Sequence, residues 1–271
     1  MSAVLEQARE NGHGVGAFNV ILLEHAEAVV AGAEAAGLPV ILQISENCVR
    51  YHGALEPILA GTLAIARAAK VQAVVHLDHA ENEDLVRQAV GLGVHSVMFD
   101  ASHDEYDENL RRTAAMAEYC HAAGVHLEAE LGEVGGKDGV HAPGVRTDPA
   151  DAARFVRATG VDSLAVAVGS SHAMTERTAV LDLDLIATLA KTVPVPLVLH
   201  GSSGVPDEQL AGAVAAGLVK VNISTHLNGL FTRAIRSRLA DDEQLVDPRK
   251  YVAAGRQAVA GEVERLLRLL A

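Results

Sequence analysis

His79, His172 and His200 each close an apolar run that reads as a buried strand: VVHLDH ends at His79, LAVAVGSSH at His172 and PLVLH at His200. An imidazole just past a strand end stands at the rim of a sheet, where side chains from distant segments converge. Three neutral imidazoles with one position left open make a catalytic zinc site, as opposed to a closed structural one. Spacings this long specify nothing alone. Their company does: Asp78 precedes His79, and Gly201-Ser202-Ser203-Gly204 follows His200. A metal, a carboxylate able to move protons and a small-residue loop able to cradle a dianion together imply an enzyme acting on a phosphorylated substrate.

The elements that must position these residues alternate along the whole chain. Strand-like apolar runs fall at 15–20, 39–44, 73–76, 96–99, 125–130, 163–168, 197–200 and 218–223. Helical stretches fall between them at 22–37, 54–70, 83–91, 105–123, 149–159, 183–192 and 207–216. Continuous apolar strands with little alternation imply a parallel sheet covered on both faces. Gly37, Gly91, Gly124, Gly160 and Gly217 stand where helices end, and Asp148-Pro149, Pro206 and Asp247-Pro248 where they begin. Eight such units with no linker favour a single (β/α)8 barrel domain over 1–271, closed by an amphipathic helix at 247–271. A doubly wound open sheet is the alternative, and eight regular units would make it very wide. Asn19, Ser45, Asp78, His79, Asp100, Glu130, His200 and Asn222 then share the C-terminal rim, the face that carries chemistry in barrels. The Gly-rich stretch 132–147 reads as a lid over it.

Composition narrows the partners. The formal charge is −13, which argues against a nucleic-acid or anionic membrane surface. Aromatic residues are 3% of the chain, so stacking on bases is not a theme. No apolar stretch is long enough to span a membrane. The N-terminal residues lack a signal-peptide core, and two cysteines do not make a disulfide scaffold. A cytoplasmic protein is expected.

The blocks GVGAFNV, HLDHAEN, MFDASH, LEAELGEVGG, LHGSSGVPDE, KVNIST and DPRKY, in this order, resemble the class II, metal-dependent ketose-bisphosphate aldolases. The resemblance implies that His79, His172 and His200 bind zinc, which would hold the ketone and enediolate oxygens of dihydroxyacetone phosphate and stabilise the charge that develops there. It implies that Asp78 is the acid–base group at the C4 oxygen. Asp100 and Glu130 match carboxylates that line the site or hold metal in an alternate position. Gly201, Ser202, Ser203, Asn222, Ile223, Ser224 and Thr225 match the phosphate cradle, with Asn222 at the enediolate. Asn19 and Ser45 match positions near the other half of the sugar. Arg249 matches an arginine that reaches the far phosphate, in some members across a subunit boundary. A homo-oligomer, dimer or tetramer, is implied by the same resemblance.

Two departures stand out. Where the family carries adjacent acidic lid residues, this chain has Lys137-Asp138, so Asp138 is either the group that moves the C3 proton, with a shorter reach, or a solvated loop residue. After His172 the family has Gly and a Tyr-Lys segment; here Ala173-Met174-Thr175-Glu176-Arg177 follows. That bears on a backbone phosphate contact at Ala173 and on any monovalent-cation site, and Arg177 becomes a substitute positive charge. Fructose 1,6-bisphosphate is the default substrate and tagatose 1,6-bisphosphate its C4 epimer. Two rivals are a Schiff-base aldolase using Lys220, the only strand lysine, and a non-catalytic sugar-phosphate-binding barrel. A dehydrogenase is excluded, since no strand runs into a G-x-G-x-x-G turn.

Overall fold

The computed structural model describes residues 1–131, 146–170 and 176–271. Eight parallel strands close into a barrel in chain order: β1 (Val15–Asn19), β2 (Val40–Ser45), β3 (Ala73–Ala80), β4 (Ser96–Phe99), β5 (His126–Glu130), β6 (Ser163–Ala165), β7 (Leu197–Leu199) and β8 (Leu218–Ile223). Helix α1 (Ser2–Asn11) precedes the barrel and α2 (Leu23–Ala36) follows β1. After β2 come α3 (Glu46–His52) and α4 (Glu56–Ala68). Helices α5 (Glu83–Gly91), α6 (Tyr106–Ala122), α7 (Pro149–Thr159), α8 (Leu183–Thr192) and α9 (Asp207–Ala215) follow β3 to β7 in turn. Helices α10 (Thr225–Asp241) and α11 (Pro248–Leu270) complete the order.

The expected (β/α)8 barrel is therefore present, with its elements started and stopped by local chemistry. Asp148 caps α7 by accepting from the Ala150 and Asp151 N–H groups, with Pro149 at the first helical position. Asp247 and Pro248 do the same for α11. Apolar strand faces pack outward against the helices in one continuous core, while Val4, Leu5 and Ala8 of α1 close the N-terminal mouth against Val15, Ala17, Ile41, Val74 and Val219. Helix α11 packs on α2 and α10 and buries Val259, Val263, Leu266, Leu267 and Leu270. A Cβ on Gly32 of α2 would lie 2.5 Å from the Ala260 carbonyl oxygen, so only glycine allows this close approach.

Several boundaries differ from the sequence reading. Strand β3 continues four residues past His76, because Leu77, Asp78 and Ala80 stay paired or buried in the sheet. Strand β6 stops at Ala165, three residues early. Helices α3 and α10 were not anticipated; both begin in the polar segments read as rim residues, and α10 buries only Leu227 and Phe231. The helix stop assigned to Gly91 belongs to Gly93, with φ +86°. Among the described residues no helix is long and apolar enough to cross a membrane.

The barrel interior is not uniformly apolar. Alternation along a strand sends residues i, i+2 and i+4 to one face, so His126, Glu128 and Glu130 of β5 all turn inward, as do His76 and Asp78 of β3 and Lys220 and Asn222 of β8. All are buried. Lys220 Nζ donates to both oxygens of Glu128, at 2.8 and 3.0 Å, and both side chains are fully buried. His76 lies 3.5 Å from Lys220 Nζ and bonds Ser96 Oγ through its other nitrogen.

His126 bonds Ser2 Oγ at 2.8 Å and Ser163 Oγ at 2.9 Å. Burial, against the opposing pull of Asp162 and Glu128, pushes its imidazole down to about 4 from 6.5. On acidification the unfolded chain takes up this proton first, so the contribution is complete above pH 6.5 and is lost as pH falls toward 4. Urea midpoints should fall between pH 7 and pH 5, His126 accounting for ~2 kcal/mol of the loss. His126→Asn should flatten that part of the curve; an unchanged pH dependence would remove His126 as its source.

Candidate active site

The strand ends bring the predicted residues to one rim. Asn19 pairs in register with Gln43, and Ser45 with Asp78. A cavity of about 210 Å³ there is lined by Asn19, Gln43, Ser45, Asn47, Asp78, His79, Gly201, Ser203, Asn222, Ser224 and Thr225. A larger cavity of about 400 Å³ lies at the opposite mouth, against α1, Gly14 and Leu267. None of the candidate residues reaches it, so chemistry rather than volume selects the site.

Consecutive residues of a regular strand face opposite ways, yet Asp78 and His79 both line the cavity. The backbone resolves this with a register shift between Leu77 and Ala80 and with φ +47° at His79, the one positive φ on a non-glycine residue among those described. Left-handed backbone at a non-glycine residue is strained and is sustained where surrounding structure enforces it. Here it turns the imidazole back to the rim. His79 Nδ1 donates to Asp100 Oδ2 at 3.0 Å, and Asp100 is fixed in turn by the Ser102 N–H and hydroxyl. The His79 and His200 rings meet edge to face at 4.7 Å. His200 Nε2 donates to Glu128 Oε1 at 3.1 Å, while Nδ1 faces Glu130 Oε2 at 3.3 Å.

The electrostatics are those of a cation site. Burial opposes charge on His79, but Asp78, Asp100 and Glu130 outweigh it and push the imidazole up to about 10. Burial also opposes charge on His200, where its hydrogen bonds to the Glu128 and Glu130 carboxylates prevail and raise it. Two donor sets, Asp78 with His79 and His200, and His79 with Asp100 and Glu130, place one ligand atom from each member within 4.8 Å of the others. Nitrogen and carboxylate donors at this spacing suit zinc. Asp78 Oδ2 accepts from Asn19 Nδ2 at 3.4 Å, while Asp78 Oδ1, Asn222 Oδ1 and Gln43 Oε1 are buried with no hydrogen-bond partner among the described residues. Three such atoms around one cavity mark where a polar ligand completes the bonding.

The segments expected to cradle a phosphate form two linked turns. Gly201, at φ +65°, opens the short 3-10 turn Ser202–Gly204, and Ser203 Oγ accepts from the Ser224 N–H at 3.2 Å, linking that turn to the start of α10. Ser202 and Ile223 are buried and can offer only backbone: the Ser202 hydroxyl bonds Leu199 O, and Ile223 packs in the core. Ser45 caps α3, accepting from the Cys48 N–H.

Some expected residues are placed elsewhere. Arg249 is 89% exposed, pairs with Asp247, and lines an outer groove with Glu24 and Glu27, so a single chain does not bring it to the cavity. Arg177 is no substitute charge there: its guanidinium holds Val205 O and Asp207, clamping the loop behind the cradle, because two acceptors on that loop satisfy it. Lys220 lies beneath the cavity with its ammonium committed to Glu128, which leaves no free amine for a Schiff base. His172, Ala173 and Asp138 lie outside the described residues. Conversely, Gln43, Asn47 and Glu128 were missed, although the E-x-E alternation of Glu128 and Glu130 puts both on one face.

A family profile described as "Fructose-bisphosphate aldolase class-II" matches residues 1–271. The chain belongs to this family. It is 38% identical to a fructose-bisphosphate aldolase of Geobacillus stearothermophilus, over 97% of this chain and 93% of that one. It is 36% identical to a fructose-bisphosphate aldolase of Thermus caldophilus, over 98% and 95%. The YdjI aldolase of Escherichia coli K12 superposes with a TM-score of 0.87 at 29% identity, covering 100% of this chain and 96% of that one. The protein is thus a class II aldolase, a lyase of a metal-dependent family, and its rim residues fit a metal.

If this rim is the metal site, adding zinc or cobalt to chelator-treated protein should raise its melting temperature, since a ligand bound only by the folded state stabilises it. His79→Ala should remove most of that rise. An equal rise in the variant would place the ion elsewhere.

Proposed function

We propose that this class II aldolase is zinc-dependent and reversibly cleaves fructose 1,6-bisphosphate into dihydroxyacetone phosphate and glyceraldehyde 3-phosphate. One observation carries the reading: the Asp78 carboxylate, with Oδ1 unpartnered, shares a single cavity with His79 and with the cradle of Gly201, Ser203, Ser224 and Thr225. The relatives named fructose-bisphosphate aldolase support the choice of sugar. His79, His172 and His200 would hold the ion, with Glu130 and Asp100 beside them. When bound, zinc supplies Lewis-acid stabilisation of the negative charge that builds on the ketone half as the carbon–carbon bond breaks.

The protein's own residues do the rest. The N–H groups and hydroxyls of the cradle, completed by Ala173, bind the phosphate nearest the ketone and fix its orientation. Asn222 lines the same cavity, its Oδ1 available to the adjoining hydroxyl. Asp78 takes the proton from the C4 hydroxyl as the C3–C4 bond breaks, and in condensation returns it to the aldehyde oxygen. Asn19 and Ser45 hold the glyceraldehyde 3-phosphate half, and Asn19 Nδ2 keeps Asp78 oriented. Asp138 moves the C3 proton. Arg249 would serve the far phosphate only in another subunit's site, which favours a homo-oligomer. The barrel acts as one domain over 1–271, and the free thiols Cys48 and Cys120 support a cytoplasmic setting.

Fructose and tagatose 1,6-bisphosphates should be assayed in parallel with zinc-loaded protein. The expected result is faster cleavage of the fructose ester, abolished by chelation and restored by zinc, with Asp78→Asn lowering kcat ~10²- to 10⁴-fold. Faster cleavage of the tagatose ester would transfer the assignment to that epimer. Turnover indifferent to chelation would contradict the metal-dependent reading.

A further inference from the structure

We propose that Glu262 and Arg265 of α11 are positioning residues for phosphate recognition, tying the two cradle turns to each other through Asp207 and His226. The inference rests on the reading of those turns as a phosphate site and adds the residues that set its shape. Among the described residues no lysine or arginine lines that cavity. A dianion there is met by N–H groups and hydroxyls, whose pull depends on their being aimed before the ligand arrives. The two turns touch where Ser203 Oγ accepts from the Ser224 N–H at 3.2 Å. A second connection runs through α11.

In the first turn the Val205 carbonyl accepts from Arg177 at 2.6 and 2.9 Å, and Arg177 also donates to Asp207 Oδ1 at 2.5 Å. Arg265 donates to Asp207 Oδ2 at 2.6 Å and, through two nitrogens, to both oxygens of Glu262 at 2.7 and 2.9 Å. Glu262 Oε1 then accepts from His226 Nε2 at 2.7 Å, and His226 directly follows Thr225 of the second turn. The rigid fork of a guanidinium suits this post, because it can hold carboxylates from two helices at fixed angles. Burial opposes charge on Glu262, but the hydrogen bonds from Arg265 and His226 prevail and hold its carboxyl down to about 2, so it is ionised at neutral pH. Isolated surface ion pairs contribute little. This chain of pairs ends on both turns, and Arg177 and His226 share with Ser202 and Ser203 a crevice too narrow for water.

Binding of dihydroxyacetone phosphate to the zinc-loaded enzyme, followed by calorimetry, tests the connection. Glu262→Ala and Arg265→Ala should each raise its Kd about 3- to 30-fold. The double variant should lose no more than the larger single effect, because either substitution opens the same link. Zinc affinity in chelator competition should stay as in the unaltered enzyme, and Arg265→Lys, which keeps the charge without the fork, should lose less than Arg265→Ala. Arg268→Ala supplies a control on the same helix: its partners are Glu264 and the Ala35 carbonyl, and it should leave Kd unaltered. Unchanged Kd in both single variants, additive losses in the double variant, or a matching loss of zinc affinity would overturn the proposal. An unaltered enzyme that binds dihydroxyacetone phosphate no more tightly than dihydroxyacetone would instead overturn the phosphate-site reading beneath it.

Discussion

A closed parallel barrel must fill its own interior, and this one places a full ion pair there. Glu128 and Lys220 have no exposed surface, and the pair is tolerated because each charge meets the other directly and both carry further hydrogen bonds. Loss of one partner alone should cost about 3–5 kcal/mol, since the survivor would remain charged in a dry interior. Apolar side chains could fill the same volume at no such risk. What they could not do is reach upward to His200 and hold its ring.

The rim is consequently a set of atoms fixed from below and from the side. His200 is held through Glu128, His79 through Asp100 and by a left-handed backbone, and Asp78 through Asn19, which Gln43 holds at 2.8 Å. The cradle is held from behind, where Arg177 clamps Val205 O and Asp207, Arg265 also reaches Asp207, and Glu262 joins Arg265 to His226 at the start of α10. Most of these supporting groups never meet the cavity. They keep nitrogen and oxygen atoms from several strand ends within reach of one small ligand, and that convergence is what rate enhancement by orientation requires.

Much of this was legible in the sequence because each informative residue sits where periodicity changes. Apolar runs ending in His, Asp or Asn locate the rim, and Asp-Pro and Gly pairs locate helix ends. The rest was hidden for physical reasons. The bulge that brings Asp78 and His79 to the same side depends on pairing with β4, which no local pattern in HLDH reveals. Helix α3 starts from a serine whose cap role looks the same as a ligand role. Lys220 reads as a reactive amine until its distant partner Glu128 is known, and Arg177 as a free cation until the Val205 turn is placed beside it. Arg249 reads as a phosphate ligand from its motif, and among the described residues its guanidinium pairs with Asp247.

The central claim is that one ion occupies the point shared by His79 and His200, leaving Asp78 beside it to move protons. Diffraction from zinc-loaded crystals at energies above and below the zinc absorption edge tests it most directly. The account predicts one strong anomalous peak within bonding distance, ~2.0–2.1 Å, of a ring nitrogen of His79 and one of His200, with Asp78 unligated. A peak bound by Asp78, or one confined to the opposite mouth of the barrel, would contradict it.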